Sequence, residues 1–265
     1  MTERCERLDL ARAFGAAATS RAAVWEFVKA FAGSRTVPLS PADGIPPSEV
    51  RRAEERLGYP LPAALSEAYA LFGRRADLVA VHNPLLAPEE LLMDPSGELL
   101  VFRSENQGCA GWGIPLDRLG DDDPPVGLFS DHLPGVAWKP YLGRLSSAFA
   151  ELVLSEAVMA RRYGSCGCEC PATAEVVAAV EAAYQPIALP PCPAWYHLEG
   201  EPVRWFSAPG KLLCLEPDPV EPVLVVVGQS ETDVLEMVAA VPGAWSAVEP
   251  VPYEYEYEED APPFG

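Results

Sequence analysis

The sequence predicts an α+β fold in which a mixed or antiparallel sheet is flanked by helices and is followed by a small C-terminal βββα extension. Three observations support this class. In the N-terminal part, apolar residues recur at steps of three and four, which is the period of an amphipathic helix. Short apolar runs separated by turn residues occupy the middle of the chain and are typical of strands. Three further runs of this kind and a capped helix follow near the C-terminus.

The chain is predicted to have four parts. They are an N-terminal helical segment at 1–35, a main domain at 36–163, a C-terminal α+β extension at 172–250 and an acidic tail at 251–265. The first part is expected to be helical over 7–32, with a break near Thr19–Ser20 and an end at Gly33. The proline-rich stretch 34–47 is predicted to be an extended connector, because proline fixes φ and lacks an amide donor.

A pair of short helices joined by a tight corner is predicted after the connector. The first begins at Pro47 or Ser48 and ends at Gly58. The second begins at Pro62, a residue suited to the first helical turn, and ends at Gly73.

The rest of the chain is predicted to alternate between strands and helices. The predicted strands lie at 77–82, 98–104, 112–116, 126–129, 203–206, 211–215 and 223–227. The predicted helices lie at 88–93, 146–163 and 173–184, and a last one is capped by Ser230. The segment 164–171 is expected to be a cysteine-bearing loop.

Composition and charge restrict the partners of the protein. The chain has 265 residues and a formal net charge of -20, with 39 Asp and Glu against 19 Lys and Arg. A surface of this sign repels phosphate, so nucleic acid and anionic membranes are unfavourable partners and a basic protein is a favourable one. The charged N-terminal residues do not resemble a signal peptide, and no apolar run reaches the about 18 residues of a membrane span. Seven unevenly spaced cysteines do not suggest a disulfide framework, so we expect a cytoplasmic protein with reduced thiols.

Two segments together resemble a known family. The first is the helix pair, with Ile45-Pro46-Pro47-Ser48-Glu49-Val50, Glu54, Leu57-Gly58, Leu61-Pro62, Tyr69 and Phe72-Gly73. The second is Leu100-Val101-Phe102, then Ser104-Glu105-Asn106-Gln107-Gly108 and Gly111-Trp112-Gly113-Ile114. Over roughly 40–163 the chain resembles the SUKH superfamily, which includes fungal cell-wall-synthesis regulators and bacterial toxin-immunity proteins.

The resemblance implies a SUKH-like fold and a protein that binds another protein without catalysing a reaction and without a cofactor. Its bacterial members commonly neutralise a cognate toxin by covering its active surface, and the charge of this chain suits a basic toxin domain. A non-toxin regulatory or scaffold role is the alternative within the family. Residues expected to contact the partner are the exposed ones Glu105, Asn106, Gln107, Asp121, Asp122 and Asp123, together with Trp112, whose indole is large enough to anchor either a core or an interface. Residues expected to keep the family structure are Glu54, Leu57, Gly58, Leu61, Pro62, Tyr69, Phe72 and Gly73.

A hydrolase or metal-dependent enzyme is the alternative from another class. Cys166, Cys168 and Cys170 place three thiols at two-residue steps, but structural zinc sites usually have spaced pairs and no second pair exists here. Ser130-Asp131-His132 contains three triad residue types side by side, whereas real triads are assembled across a fold. A loop of free thiols and a polar loop are the expected structures, and no metal is expected.

Overall fold

The computed structural model describes residues 7–17, 20–35, 37–131, 137–160, 166–218 and 220–246. Within these ranges the chain forms eight α-helices and ten β-strands. The helices are α1 (Leu10–Ala17), α2 (Arg21–Arg35), α3 (Pro47–Leu57), α4 (Ala63–Phe72), α5 (Ala76–Val79), α6 (Leu145–Met159), α7 (Ala174–Ala183) and α8 (Glu231–Ala240). The strands are β1 (Leu92–Met93), β2 (Leu99–Ser104), β3 (Ala110–Pro115), β4 (Val126–Ser130), β5 (Lys139–Leu142), β6 (Gly167–Pro171), β7 (Gln185–Pro186), β8 (Arg204–Ala208), β9 (Lys211–Glu216) and β10 (Val223–Gly228).

The strands form two antiparallel sheets of five strands each. The first sheet has the order β1-β2-β3-β4-β5, so neighbours in space are also neighbours in sequence. The second sheet has the order β6-β10-β9-β8-β7. The α+β class is confirmed, and the C-terminal βββα pattern is present as β8, β9, β10 and α8. Strands β6 and β7 extend that pattern at the two edges of its sheet.

A bulge in β2 changes which side chains face the helices. The register against β3 shifts between Val101 and Arg103. A bulge places two residues of one strand opposite one residue of its partner, so two consecutive side chains can share a face. The Phe102 ring lies 5.6 Å from the Phe149 ring of α6, and Arg103 forms an ion pair with Glu151 on the same helix. The irregularity therefore brings a charged side chain into an otherwise apolar layer.

Helix α6 lies at the centre of the fold. Its residues are apolar on all sides except for serines and two glutamates, which is typical of a fully buried helix. It contacts α2, α4 and α5, and it also contacts β5 of the first sheet and β10 of the second. The Phe149 ring packs against Trp25, Phe72 and Phe102, with centroids 5.9, 5.7 and 5.6 Å away. None of the helices in the described ranges is long and apolar enough to cross a membrane.

Side chains of the second sheet alternate between two apolar layers. Those that face α6 and the N-terminal helices are Trp205, Leu212, Cys214, Val225 and Val227. Those that face α7 and α8 are Phe206, Leu213, Leu215, Leu224 and Val226. Because successive strand residues point to opposite faces, both faces of this sheet are buried by continuous apolar runs. The C-terminal sheet thus shares one core with the rest of the molecule and has a second core of its own.

The N-terminal helices pack against the second sheet. The backbone N–H of Ala11 donates to Ser207 Oγ at 2.9 Å, and the Gln229 side-chain amide donates to the Ser34 carbonyl at 2.6 Å. As predicted, the helical segment is interrupted, and Ser20 Oγ accepts the Ala23 N–H at the start of α2. The predicted end at Gly33 is wrong, because α2 continues to Arg35, with Ser34 buried in its last turn. Burial outweighs the low helix propensity of glycine there.

The predicted helix corner is present between α3 and α4. Gly58 ends α3 in the left-handed conformation, with φ of 79°, which glycine adopts without strain. The Glu54 carboxylate accepts the Leu61 N–H at 2.9 Å and so spans the corner. Pro62 lies directly before α4, one residue earlier than predicted for the first turn. Leu57 is half-buried at the end of α3.

Tyr69, Phe72 and Gly73 join this corner to the core. The Tyr69 hydroxyl donates to the Leu86 carbonyl at 2.7 Å, and the Phe72 ring lies edge-on to Phe149. A side chain at Gly73 is disfavoured by space, since a Cβ there would lie 2.9 Å from the backbone carbonyl oxygen of Tyr69 and 2.8 Å from Ile45 Cδ1. Tyr69 and Phe72 are thus buried in the core, while the assignment of these residues as a family signature stays a prediction.

Three local predictions were wrong. The strand predicted at 77–82 is replaced by α5, where the consecutive residues Leu78 and Val79 are both buried, which a one-sided strand does not allow. The helix predicted at 88–93 is a single 3₁₀ turn at Pro88–Glu90 followed by β1. The loop predicted at 164–171 contains β6, which pairs with the valine-rich β10.

Candidate functional site

Glu105 belongs to the turn between β2 and β3. It is 4% exposed, and its Oε2 accepts the Gln107 N–H at 2.8 Å and the Cys109 thiol at 3.0 Å. Burial, followed by the hydrogen bond to Glu105, raises the pKa of Cys109 to about 11. The expectation that Glu105 is an exposed contact residue is wrong, because its carboxylate closes the turn. Asn106 and Gln107 are exposed at the tip of this turn, and their contact with a partner stays a prediction.

The acidic loop 121–123 is tied to two helices. Asp123 accepts the Ser146 N–H at 2.8 Å and the Ser146 hydroxyl at 2.6 Å at the start of α6. Asp121 forms an ion pair with Arg118. The Asp122 side chain is 82% exposed, while its carbonyl accepts the Ala64 N–H at the start of α4. The loop therefore has a structural role, and Asp122 is its best-placed side chain for a partner.

The thiols of the cysteine segment are separated by the strand they occupy. Cys168 and Cys170 are both 2% exposed and lie in the core formed with α7 and α8, whereas Cys166 is exposed. Burial raises the pKa of Cys170 to about 11, which disfavours the thiolate that binds metal. Among the described residues, no three His, Cys, Asp or Glu side chains converge as a metal site. The Asp131 N–H donates to the Cys109 carbonyl, and His132 lies outside the described residues.

A buried charge cluster joins β2 to α6. Arg103, 2% exposed, donates through Nη1 to Glu151 Oε2 at 2.7 Å, and its Nη2 lies 3.5 Å from Glu156 Oε1. The Glu156 carboxylate also accepts the backbone N–H groups of His82 and Asn83 at 2.6 and 3.0 Å. Arg103 thus pairs with two carboxylates, and the Glu156 carboxylate also accepts hydrogen bonds from the backbone of the segment after α5.

The burial of this cluster changes its acid–base properties. Burial lowers the pKa of Arg103, but Glu151 and Glu156 outweigh it and the net shift is upward. Burial raises the pKa of Glu156, against the opposing effects of Arg103 and of the backbone N–H groups of Val81, His82 and Asn83. The sequence contained a signal for the cluster, since Glu151 and Glu156 are the only charged residues of an otherwise buried helix and need a cation. The identity of that cation could not be predicted.

Trp112 lies beside the cluster and is not on the surface. It is 3% exposed, and the Arg103 guanidinium carbon lies 4.3 Å from its ring centroid. The Tyr141 ring meets it edge-on at 6.1 Å. Of the two placements expected for its indole, a core and an interface, the structure shows the core, so the assignment of Trp112 as a partner contact is wrong.

A cavity of about 190 Å³ lies between the two sheets, next to Arg103 and Trp112. The first sheet and α6 supply one wall, which includes Tyr141 and Glu151. The second sheet and the segment 193–196 supply the other, which includes Trp205. The cavity is therefore formed by residues far apart in sequence, and no local motif marks it.

Negative charge is concentrated in the C-terminal part of the chain. Residues 166–265 contain 17 Asp and Glu against two Lys and Arg, whereas residues 1–165 contain 22 against 17. Both basic side chains of the C-terminal part are held in ion pairs, Arg204 with Glu181 and Lys211 with Glu236.

Comparisons with protein-family models, with curated proteins and with solved structures found no match.

Proposed function

We propose that this protein is a binding module that neutralises a bacterial toxin in the cytoplasm by covering the toxin's active surface. The resemblance of the helix corner and of the β2–β3 segment to the SUKH superfamily supports this class of function. The proposal does not require a reacting group in this chain. Its partner is a basic protein domain, which the acidity of the chain favours.

The observation that carries the proposal is the charge of the C-terminal part. With 17 acidic and two basic residues, and with both basic side chains internally paired, this part presents an excess of carboxylates. Exposed carboxylates that are spread over it are Glu175, Glu201, Glu221 and Glu231. Complementary fields of this kind raise association rates and suppress partners of the same sign. The surface suits a toxin whose active site is itself basic, such as one that acts on nucleic acid.

The first test is binding and neutralisation. The full chain is co-expressed with each basic protein encoded by a neighbouring gene, and complex formation and toxin activity are measured. We expect one such protein to form a stable complex and to lose its activity in it. A partner that is bound without being toxic would instead support the regulatory alternative, and the absence of any complex would refute the binding proposal.

The second test locates the surface. Glu201→Lys combined with Glu221→Lys reverses two exposed loop charges of the C-terminal part. Glu55→Lys combined with Asp117→Lys is the matched control, with the same charge change elsewhere on the surface. We expect the first pair to slow association by about tenfold at low salt and the control to have a much smaller effect. Equal effects of the two pairs would show that net charge, and not this surface, directs binding.

A further inference from the structure

An open groove of about 460 Å³ lies on the surface of the C-terminal part. Part of its lining is apolar and comes from Ala172, from Val177 of α7 and from Leu215 of β9. The other apolar residues of the lining are the prolines Pro202, Pro217 and Pro222. Because Val177 is half-buried and Pro222 is exposed, a partner can reach this lining.

The open end of the β8–β9 hairpin carries three carboxylates that line the groove. Glu201 precedes β8, Glu216 ends β9 and Asp218 follows it. In the part of the chain that the structure describes, neither Glu201 nor Asp218 is paired with a lysine or an arginine. Hydrogen bonds from the backbone N–H groups of Glu221 and Val220 lower the pKa of Asp218, so this carboxyl group is charged at neutral pH.

The basic groups of the lining do not neutralise these carboxylates. Arg204 lines the groove, but its Nη1 lies 2.6 Å from Glu181 and is already paired. His197 is the other basic residue of the lining, so three carboxylates face two basic groups. The Tyr196 hydroxyl is hydrogen-bonded to Glu216, and a carboxylate can accept more than one such bond. The groove therefore combines an apolar lining with an excess of negative charge.

An arginine side chain of a partner suits both properties of the groove. Its aliphatic stem can cover the apolar lining while its charged end reaches the carboxylates. The guanidinium has five N–H donors in a planar arrangement that matches carboxylates, and it is more weakly hydrated than the ammonium of lysine. An acidic side chain would meet charges of its own sign.

We propose that this groove holds an arginine side chain of the basic protein that the chain binds. The guanidinium pairs with the carboxylates of Glu201 and Glu216, and the stem lies against Val177 and Leu215. This inference rests on the proposed function, which supplies the basic partner. It adds one contact at a defined position to the general attraction between opposite charges, and so it makes binding depend on a particular arginine of the partner.

Short peptides test the side chain without any toxin. The probes are a blocked tripeptide with arginine between two glycines, its lysine counterpart, and its citrulline counterpart, in which a neutral urea group replaces the guanidinium. Binding to the full chain is followed by NMR titration. We expect the arginine peptide to bind and to shift the amide signals of Val177 and Leu215. The citrulline peptide should bind at least about tenfold more weakly, because it lacks the charge that strengthens hydrogen bonds to carboxylates. No binding of the arginine peptide, equal binding of the citrulline peptide, or tighter binding of the lysine peptide would overturn the proposal.

Substitution of the carboxylates tests the contacts. Glu201→Gln combined with Glu216→Gln should weaken binding of the arginine peptide by about tenfold. Glu55→Gln combined with Asp117→Asn is the matched control, since it removes two exposed charges outside the groove and should leave the affinity unchanged. Should the first pair fail to fold because Glu216 also binds Tyr196, Glu201→Gln alone decides, with an expected loss of about threefold. Unchanged affinity in folded Glu201→Gln would overturn the proposal.

The failure of this inference can be distinguished from the failure of the proposed function. Binding of the arginine peptide, without a complex with any basic protein encoded by a neighbouring gene, would refute the proposed function and support the groove. A toxin complex whose affinity is unchanged by Glu201→Gln combined with Glu216→Gln would refute the groove and support the proposed function. We expect instead that this pair weakens both the peptide and the toxin.

Discussion

The two halves of the molecule, each built on a five-stranded antiparallel sheet, are stabilised by different means. The half with the first sheet uses buried polar side chains that reach across the chain, such as Arg103 to Glu151 and Glu156 to the backbone after α5. The half with the second sheet uses apolar side chains that alternate between two layers. The stability of the first half thus depends on a few polar side chains in defined positions. That of the second half depends on the apolar surface area that many side chains bury together.

This difference has a physical origin in the connections. In the second half, β8 and β9 are joined by a two-residue turn, so the register follows from the hairpin itself. In the first half, long irregular stretches separate α4 from β2, and their backbone groups need partners when they are buried. Carboxylates and a tyrosine hydroxyl supply those partners. The loss of stability caused by substitutions in the two halves should therefore differ in its pH dependence as well as in its magnitude.

The largest expected effect is that of Arg103→Met. It leaves Glu151 and Glu156 buried without their cation, and breaking a buried ion pair in this way costs about 4 kcal/mol. Urea denaturation measures the free energy of unfolding. Arg118→Met, which removes an exposed ion pair with Asp121, is the control and should cost less than about 1 kcal/mol.

The pH dependence of Arg103→Met distinguishes lost charge from lost packing. The pKa of Glu156 is raised in the native fold, so this carboxylate takes up a proton at a higher pH there than in the unfolded chain. Its contribution to stability is present below the unfolded pKa and is lost as pH rises through the folded pKa. Without Arg103 the pKa rises further, so the deficit of the variant should be largest at neutral pH and should shrink as the medium becomes acidic. A deficit that is constant with pH would contradict the assignment of the cluster as charged.

The second largest effect is expected for Leu213→Ala, which tests the other half. Leu213 of β9 is fully buried in the apolar layer between the second sheet and helices α7 and α8. Its truncation leaves a cavity, which lowers the free energy of unfolding by about 3 kcal/mol. Leu235→Ala, at a half-exposed position of α8, is the control and should cost much less. Because no titrating group is removed, the loss should be the same across the acidic pH range. A loss that decreases on acidification would show that the two halves do not differ as described.

The same difference explains what could be predicted from the sequence. The α3–α4 corner and the hairpin strands β8 and β9 follow from local signals, since Gly58, Pro62 and alternating apolar residues act over a few positions. The buried cluster does not follow from local signals, because Arg103 meets Glu151, which lies 48 residues later in the chain, only when a bulge turns its side chain towards α6. The cavity requires both sheets and is still less visible in the sequence.

Two errors show where local signals misled. The cysteines of β6 were assigned to a loop of free thiols, yet Cys168 and Cys170 alternate with partly exposed residues of a strand and are buried as small apolar side chains. Glu105 was expected to be an exposed contact residue, and for Trp112 a core and an interface position were both left open. Their burial depends on tertiary placement, which neither composition nor spacing records.

A smaller effect is expected for Tyr69→Phe, which removes a neutral contact of the first half. The Tyr69 hydroxyl donates to the Leu86 carbonyl, and without it this partly buried carbonyl loses a partner at a cost of about 1 kcal/mol. Tyr59→Phe, at an exposed position of the same corner, should have little effect. Burial raises the pKa of the Tyr69 hydroxyl, so it stays protonated and the deficit should not vary between acidic and neutral pH. An unchanged free energy of unfolding for Tyr69→Phe would mean that another donor binds the Leu86 carbonyl. Polar contacts would then contribute less to the stability of the first half than we infer.

The smallest effect is expected for Thr173→Ala, at a polar contact of the second half. The Thr173 hydroxyl accepts the Val176 N–H at 3.3 Å and caps α7, and removing such a cap costs about 1 kcal/mol. Thr173→Ser keeps the hydroxyl and should retain nearly all of the wild-type stability. Because the capped helix covers an apolar layer that is otherwise intact, the loss should stay below that of Leu213→Ala. A loss as large as that of Leu213→Ala would show that the second half also depends on single polar groups, and the contrast between the two sheets would then fail.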